Sequence, residues 1–207
     1  MTDATLDNVT VHSDEHEHGH GVPDAQQISN SKLAMWLYLA SEVVVFGVLI
    51  AVYAIFRLNN PDIVEQVHHE LGLGLVSINT FLLLTSSWAM VMGLRSAQLN
   101  NTKGFVRWIG LTALLGAAFV GMQAIEYTDL AHAGLSIGTE WGMRFYAPTA
   151  FHGAHVIVGI LWALRIIMRG RHGRYNAHNY LAVEIFGLYW HFVDVVWLFL
   201  FTLIYLI

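Results

Sequence analysis

The stretch EIFGLYWHFVDVVWLFLFTLIYLI, Glu184 to Ile207, decides the fold. A helix crossing ~30 Å of hydrocarbon needs about 20 mainly apolar residues, and this run supplies them. Its first half nevertheless carries Glu184, His191 and Asp194. Ionisable groups in hydrocarbon cost at least ~2.5–3.5 kcal/mol each, so such groups keep company with a partner, a headgroup or water. Their spacings of seven and three residues place all three near one helical face. That face cannot look at acyl chains.

The rest of the chain extends the reading. Hydrophobic residues make up 56% and charged residues 12% of the 207 positions, about half the charge of a soluble domain. The mean hydropathy of +0.52 agrees. An all-α, polytopic membrane protein is predicted, organised by the bilayer. Five segments are long and apolar enough to span it: about Leu33–Arg57, Leu71–Leu94, Val106–Tyr127, Phe145–Met168 and Ala182–Leu206. Between them lie NNPD (59–62), QLNNTKG (98–104), AGLSIGTEWG (133–142) and RGRHGRYNAHN (169–179), rich in breakers and polar residues. Residues 1–32 hold no long apolar run, so no cleavable signal is expected there. They read as a disordered tail with His12, His16, His18 and His20 among acids and glycines, and residues 33–207 as the membrane domain. The absence of cysteine excludes disulfides, thiolate zinc sites, iron–sulfur clusters and covalently attached c-type haem in this sequence.

Orientation follows from ten basic residues. Lys32, Arg95, Lys103, Arg107, Arg165, Arg169, Arg171 and Arg174 fall on the side of the N-terminus, and only Arg57 and Arg144 fall opposite. This positive-inside bias predicts a cytoplasmic N-terminus and an outside C-terminus. Span three presents Gly110, Ala113, Ala117, Gly121 and Ala124, a small-residue strip expected to admit another helix closely. Span two carries Asn79, Thr80, Thr85, Ser86 and Ser87, expected to hydrogen-bond within or between helices.

Glu42 sits about one-third of the way across span one, where a lone carboxylate bears a large desolvation cost; it is read as a group linked to proton movement or to its environment, with a protonated acid donating one hydrogen bond in the bundle as the alternative. Glu126, near the end of span three, is expected at the outer interface, where hydration is available. His152 and His155 open span four one turn apart; bundle hydrogen bonding is the ordinary reading, and a shared metal or a bis-imidazole haem with His191 the alternatives. His152 lies about 9 Å in from the outer end of its span and His191 about 10 Å in from the inner end of its own, at ~1.5 Å per residue, so that pair differs in depth. His155 is closer in depth to His191.

Five blocks in order carry a resemblance: SEVVVF (41–46), INTFLLLTSS (78–87), LLGAAFVGMQAIEY (114–127), FHGAHVIVG (151–159) and YWHFVDVVWLFLF (189–201). Over Leu33–Ile207 the chain resembles subunit III of the haem–copper respiratory oxidases, in its short five-helix bacterial form. Longer members have seven helices around a V-shaped cleft that holds phospholipid, and the first two of those have no counterpart here. The resemblance matches Glu42 to the family's carbodiimide-reactive intramembrane carboxylate. It matches Glu126, His152, His155, Glu184, His191 and Asp194 to other polar bundle positions, and Arg169 to a basic position that can meet a lipid headgroup.

The implied function is auxiliary. The resemblance implies a non-catalytic subunit of a proton-pumping terminal oxidase of aerobic respiration that reduces O2 to water. Such a subunit contributes no catalytic residue and no metal ligand, and has no redox centre of its own, since haems and copper belong to its partners, subunits I and II. It would pack on subunit I in the bacterial plasma membrane, hold structural phospholipid, sustain proton uptake and protect against inactivation during turnover, with a respiratory supercomplex as a further partner and nucleic acid as none. The motif wording leans toward a cytochrome c oxidase. A quinol oxidase subunit III is the alternative within the family, and a haem b membrane protein or a proton-coupled transporter the alternatives outside it.

Overall fold

A computed structural model describes residues 25–62 and 72–206. The expected tail up to residue 24, the start of span two at Leu71 and the terminal Ile207 lie outside the described residues. Five helices follow in order: α1 (Ala25–Asn59), α2 (Leu73–Gln98), α3 (Thr102–His132), α4 (Glu140–Gly170) and α5 (Leu181–Phe201), the last continuing into a π-helical turn, Thr202–Leu206. All five are long and apolar enough to cross a membrane, and no strand is present among the described residues. α1 begins at Ala25, eight residues before the expected start at Leu33, so the stretch read as tail is helical from there.

The helix ends follow local chemistry. Asn101 caps α3 by accepting from Gly104 N (2.9 Å), and Thr139 caps α4 by accepting from Gly142 N (3.0 Å). Asn100 takes φ +57° in the tight α2–α3 turn, a conformation Asn tolerates better than most residues. Its side-chain Oδ1 accepts from Ala177 N (2.9 Å), tying that turn to the α4–α5 loop. Gly134, at φ +85°, ends α3. Pro148 lies within α4, where it removes one backbone hydrogen bond.

The helices differ in how deeply they are engaged. α5 packs on α1, α2 and α4, and 56% of its span is buried; α1 packs on α4 and α5, with 22% buried. α5 is therefore the centre and α1 the periphery. Lipid is as apolar as the helices, so association in a membrane depends on close packing and hydrogen bonds. Both appear at α5. Trp190 Nε1 donates to Ser86 Oγ (2.9 Å), and Trp197 Nε1, two turns on, donates to Thr80 Oγ1 (3.0 Å). Asn79 Nδ2 donates to Phe119 O on α3 (3.2 Å). The polar residues of span two thus hydrogen-bond within or between helices as expected, Thr85 within its own helix at Phe81 O.

The small-residue strip of span three is a correction. Ala117, Gly121 and Ala124 face outward, and a Cβ added to Gly110 or Gly121 would meet nothing within 4 Å. Close approach occurs instead at Gly116 and at Gly159 on α4, where an added Cβ would come to 2.7 and 2.6 Å of the Trp190 ring. The indole fills the space between the two backbones, and its bulk selects the glycines that face it.

Candidate functional site

α1 is held to the bundle by polar contacts at three depths. At its start, Lys32 Nζ donates to Glu184 Oε1 of α5 at 2.7 Å, both side chains about one-third exposed. Near its end, Arg57 Nη1 donates to Leu203 O (3.1 Å), and the Arg144 guanidinium of α4 lies 4.4 Å from the Phe56 ring centroid. Between these, Glu42 Oε2 stands 3.3 Å from His155 Nε2 on α4, with side chains 15% and 12% exposed. Glu42 falls at the middle of the 35-residue α1, which begins eight residues before the span expected from the sequence.

The Glu42–His155 geometry limits where protons can sit. His155 Nδ1 is 2.9 Å from Phe151 O, and a carbonyl only accepts, so Nδ1 carries a hydrogen and donates it. Nε2 then faces the carboxylate with either a lone pair or a second hydrogen. The two groups are within ion-pair distance but not in hydrogen-bond alignment, since Glu42 Oε2 has no hydrogen-bond partner among the described residues; a neutral acid–imidazole pair and a carboxylate–imidazolium pair would carry the same net charge. Aromatic rings exclude the surroundings: Phe46 lies 5.3 Å and Phe151 4.7 Å from the His155 ring, and Tyr189 donates its hydroxyl to His155 O (2.8 Å).

The remaining sequence-predicted groups divide between two other places. His191 Nδ1 meets Ser87 Oγ at 2.5 Å, and Asp194, 4% exposed, lies beside the same serine with neither carboxyl oxygen partnered among the described residues. His191 also lines a groove of about 450 Å³ between α1 and α5, walled by Trp36, Leu39, Val43, Leu188 and Phe192. The shared face inferred for Glu184, His191 and Asp194 thus meets α1 and α2. His152 is fully buried among Phe46, Phe119 and Trp197, with neither ring nitrogen partnered among the described residues.

Glu126 lies near the end of α3 as expected, and at 6% exposure beside Tyr205 of the π-helical turn it stands among the buried ionisable groups. One turn away, Gln123 donates to Thr149 O (3.2 Å) and Tyr127 donates to Thr149 Oγ1 (2.9 Å), joining α3 to α4. Arg169 is exposed on the last turn of α4, at the end of the bundle where α1 begins.

Periodicity could not reveal the pairing partners. Lys32, Ser87 and His155 face Glu184, His191 and Glu42 from other helices, and only the order of helices around the bundle brings them together. Lys32 and Glu184 did carry one signal, opposite charges at span ends on the same side. The histidines do not converge: His155 faces Glu42, His191 faces Ser87 and His152 faces aromatic rings. Among the described residues no three His, Cys, Asp or Glu side chains gather around a common point.

Comparison with known proteins bears on the whole span. A family model described as cytochrome c oxidase subunit III matches residues 15–207. The chain is 36% identical to cytochrome c oxidase subunit 3 of Thermostichus vulcanus over 192 residues, 92% of each protein. It is equally 36% identical to quinol oxidase subunit 3 of Bacillus spizizenii over 197 residues, 92% of this chain and 95% of that protein. Cytochrome c oxidase subunit 3 of Bacillus sp. strain PS3 matches at 35% over 180 residues, 86% of each.

Proposed function

The chain belongs to the cytochrome c oxidase subunit III family, and on that premise we propose that it supports proton supply and lipid packing in a terminal oxidase without taking part in the redox chemistry. It is a multi-pass membrane protein and an auxiliary oxidase subunit that works within a complex. In this reading its partners are subunits I and II, which hold the haems and copper, and its site is the bacterial plasma membrane. The large apolar face of α1, including Trp36, Leu37, Val43 and Val44, supplies surface for subunit and lipid contact. The α1–α5 groove suits an acyl chain, since its lining is almost wholly apolar.

The observation that carries the proposal is the Glu42–His155 pair. It is a protonatable pair at the middle of α1, with Phe46 and Phe151 packed against its imidazole. Such a pair can store or redistribute one proton with little change in local charge. Glu126, Glu184 and Asp194 serve the bundle as buried or latching acids, His152 and His191 as packing and hydrogen-bonding groups, and Arg169 as a headgroup contact in the basic rim. The test is Glu42→Gln in the assembled oxidase. Haem and copper spectra are expected to remain intact, while the pH profile of turnover or the rate of turnover-linked inactivation changes. Lost haem signals in an otherwise assembled complex would sink the reading.

Cytochrome c is proposed as the electron donor, following the wording of YWHFVDVVW, SEVVVF and QAIEY. The equal identity to relatives named quinol oxidase subunit 3 favours a second reading, quinol as donor. Turnover of the purified complex with reduced cytochrome c against a quinol decides between them, and quinol-only turnover overturns the first.

A further inference from the structure

At the end of the bundle where α1 begins, three cations meet with no counter-charge among the described residues. Lys103 and Arg107 stand one turn apart on α3, and Arg171 follows directly on α4. Phe105 sets their approach. It is buried, its ring lies 5.6 Å from that of Tyr175, and a Cβ at Gly170 would run into it. The end of α4 therefore comes close to the first turn of α3. Lys103, Arg107 and Arg171 line one cleft of about 320 Å³ together with Thr102 and Val106.

Like charges at that spacing repel, and a third cation adds to the repulsion. The ion pairs among the described residues are Lys32–Glu184, Glu140–Arg144 and Glu42–His155, and none of the three cations enters one. Other carboxylates of the described chain stand elsewhere: Glu126 is buried beside Tyr205, and Asp194 beside Ser87. A cleft built this way is matched by a compact anion with several acceptor oxygens. Two guanidinium forks can each hold a phosphate through paired N–H bonds, and the ammonium adds a point charge. The Thr102 hydroxyl offers one more donor, and Val106 gives the rim an apolar edge.

We propose that this cleft binds a phosphate group. Two sources share that chemistry: the headgroup of an anionic phospholipid and free phosphate. The cleft is separate from the α1–α5 groove, and its recognition chemistry does not depend on the role proposed for the subunit.

The experiment uses the whole purified oxidase complex, wild type and K103Q/R107Q/R171Q, in nanodiscs of phosphatidylcholine with and without phosphatidylglycerol. Bound lipid is read by native mass spectrometry, and haem spectra report assembly. Wild type is expected to retain phosphatidylglycerol that the triple variant holds about 10- to 100-fold more weakly, from the loss of three near-surface cations. R107K/R171K, which keeps the charge and loses the forks, should fall between. Inorganic phosphate in millimolar excess displaces that lipid if free phosphate is the natural source and leaves it bound if the headgroup is; either supports a phosphate site. Equal retention of lipid and phosphate by wild type and triple variant overturns the proposal.

Discussion

Glu42 and His155 illustrate how a membrane interior makes single residues matter. Removing one partner of a buried polar pair leaves the other uncompensated at a cost of about 1–3 kcal/mol, and more if the pair is charged, whereas replacing both is nearly neutral in favourable cases. Glu42→Ala and His155→Ala should therefore each lower the thermal unfolding midpoint of the complex, and the double variant should lose less than their sum. Strict additivity would show that the two do not interact. Trp190 supplies a steric counterpart. Gly159→Ala places a Cβ against its ring, and overpacking of this kind costs about 1–3 kcal/mol. Trp190→Phe should relieve much of that loss while giving up the bond to Ser86; a double variant no better than Gly159→Ala alone would contradict the contact.

At the scale of the element, α1 is the helix whose attachment depends most on a few groups. It packs on two neighbours and keeps most of its span outward, so Lys32–Glu184, Glu42–His155 and the Arg57 and Arg144 contacts hold it at separate depths. An ion pair about one-third exposed contributes only ~0.2–1 kcal/mol, so losing one end should loosen α1 locally without unfolding the bundle. Lys32→Ala is expected to speed hydrogen–deuterium exchange in the first turns of α1 with little change in α5. The swap Lys32→Glu with Glu184→Lys should restore protection. Uniform acceleration across all helices would refute a local latch. The periodicity of α1 made its length and apolarity legible, yet no property of that one helix says which side meets α4.

For the whole molecule, five crossings would place the helix ends Ala25 and Leu206 on opposite sides, and the placement of basic residues predicts which is which. The absence of cysteine makes this directly measurable. A membrane-impermeant maleimide applied to intact cells should label a cysteine placed at Gly138 and spare one placed at Ala177; the reverse pattern would invert the orientation. Span number and helix class were readable in the residues, because apolar run length is a local property of the chain, whereas the buried Ser96, Thr112 and Thr149 carried no signal of their own. The family resemblance was readable too, since it rests on the order of motifs. What only the tertiary structure decided was pairing: Glu42 with His155, Glu184 with Lys32, His191 with Ser87, and Trp190 seated between Gly116 and Gly159. It also turned the small-residue strip outward. Helix periodicity fixes which residues share a face, but the bilayer holds any packing order of five helices about equally well. Which faces meet is settled by the side chains that fill and hydrogen-bond across the gaps, and those contacts join residues as many as 152 positions apart.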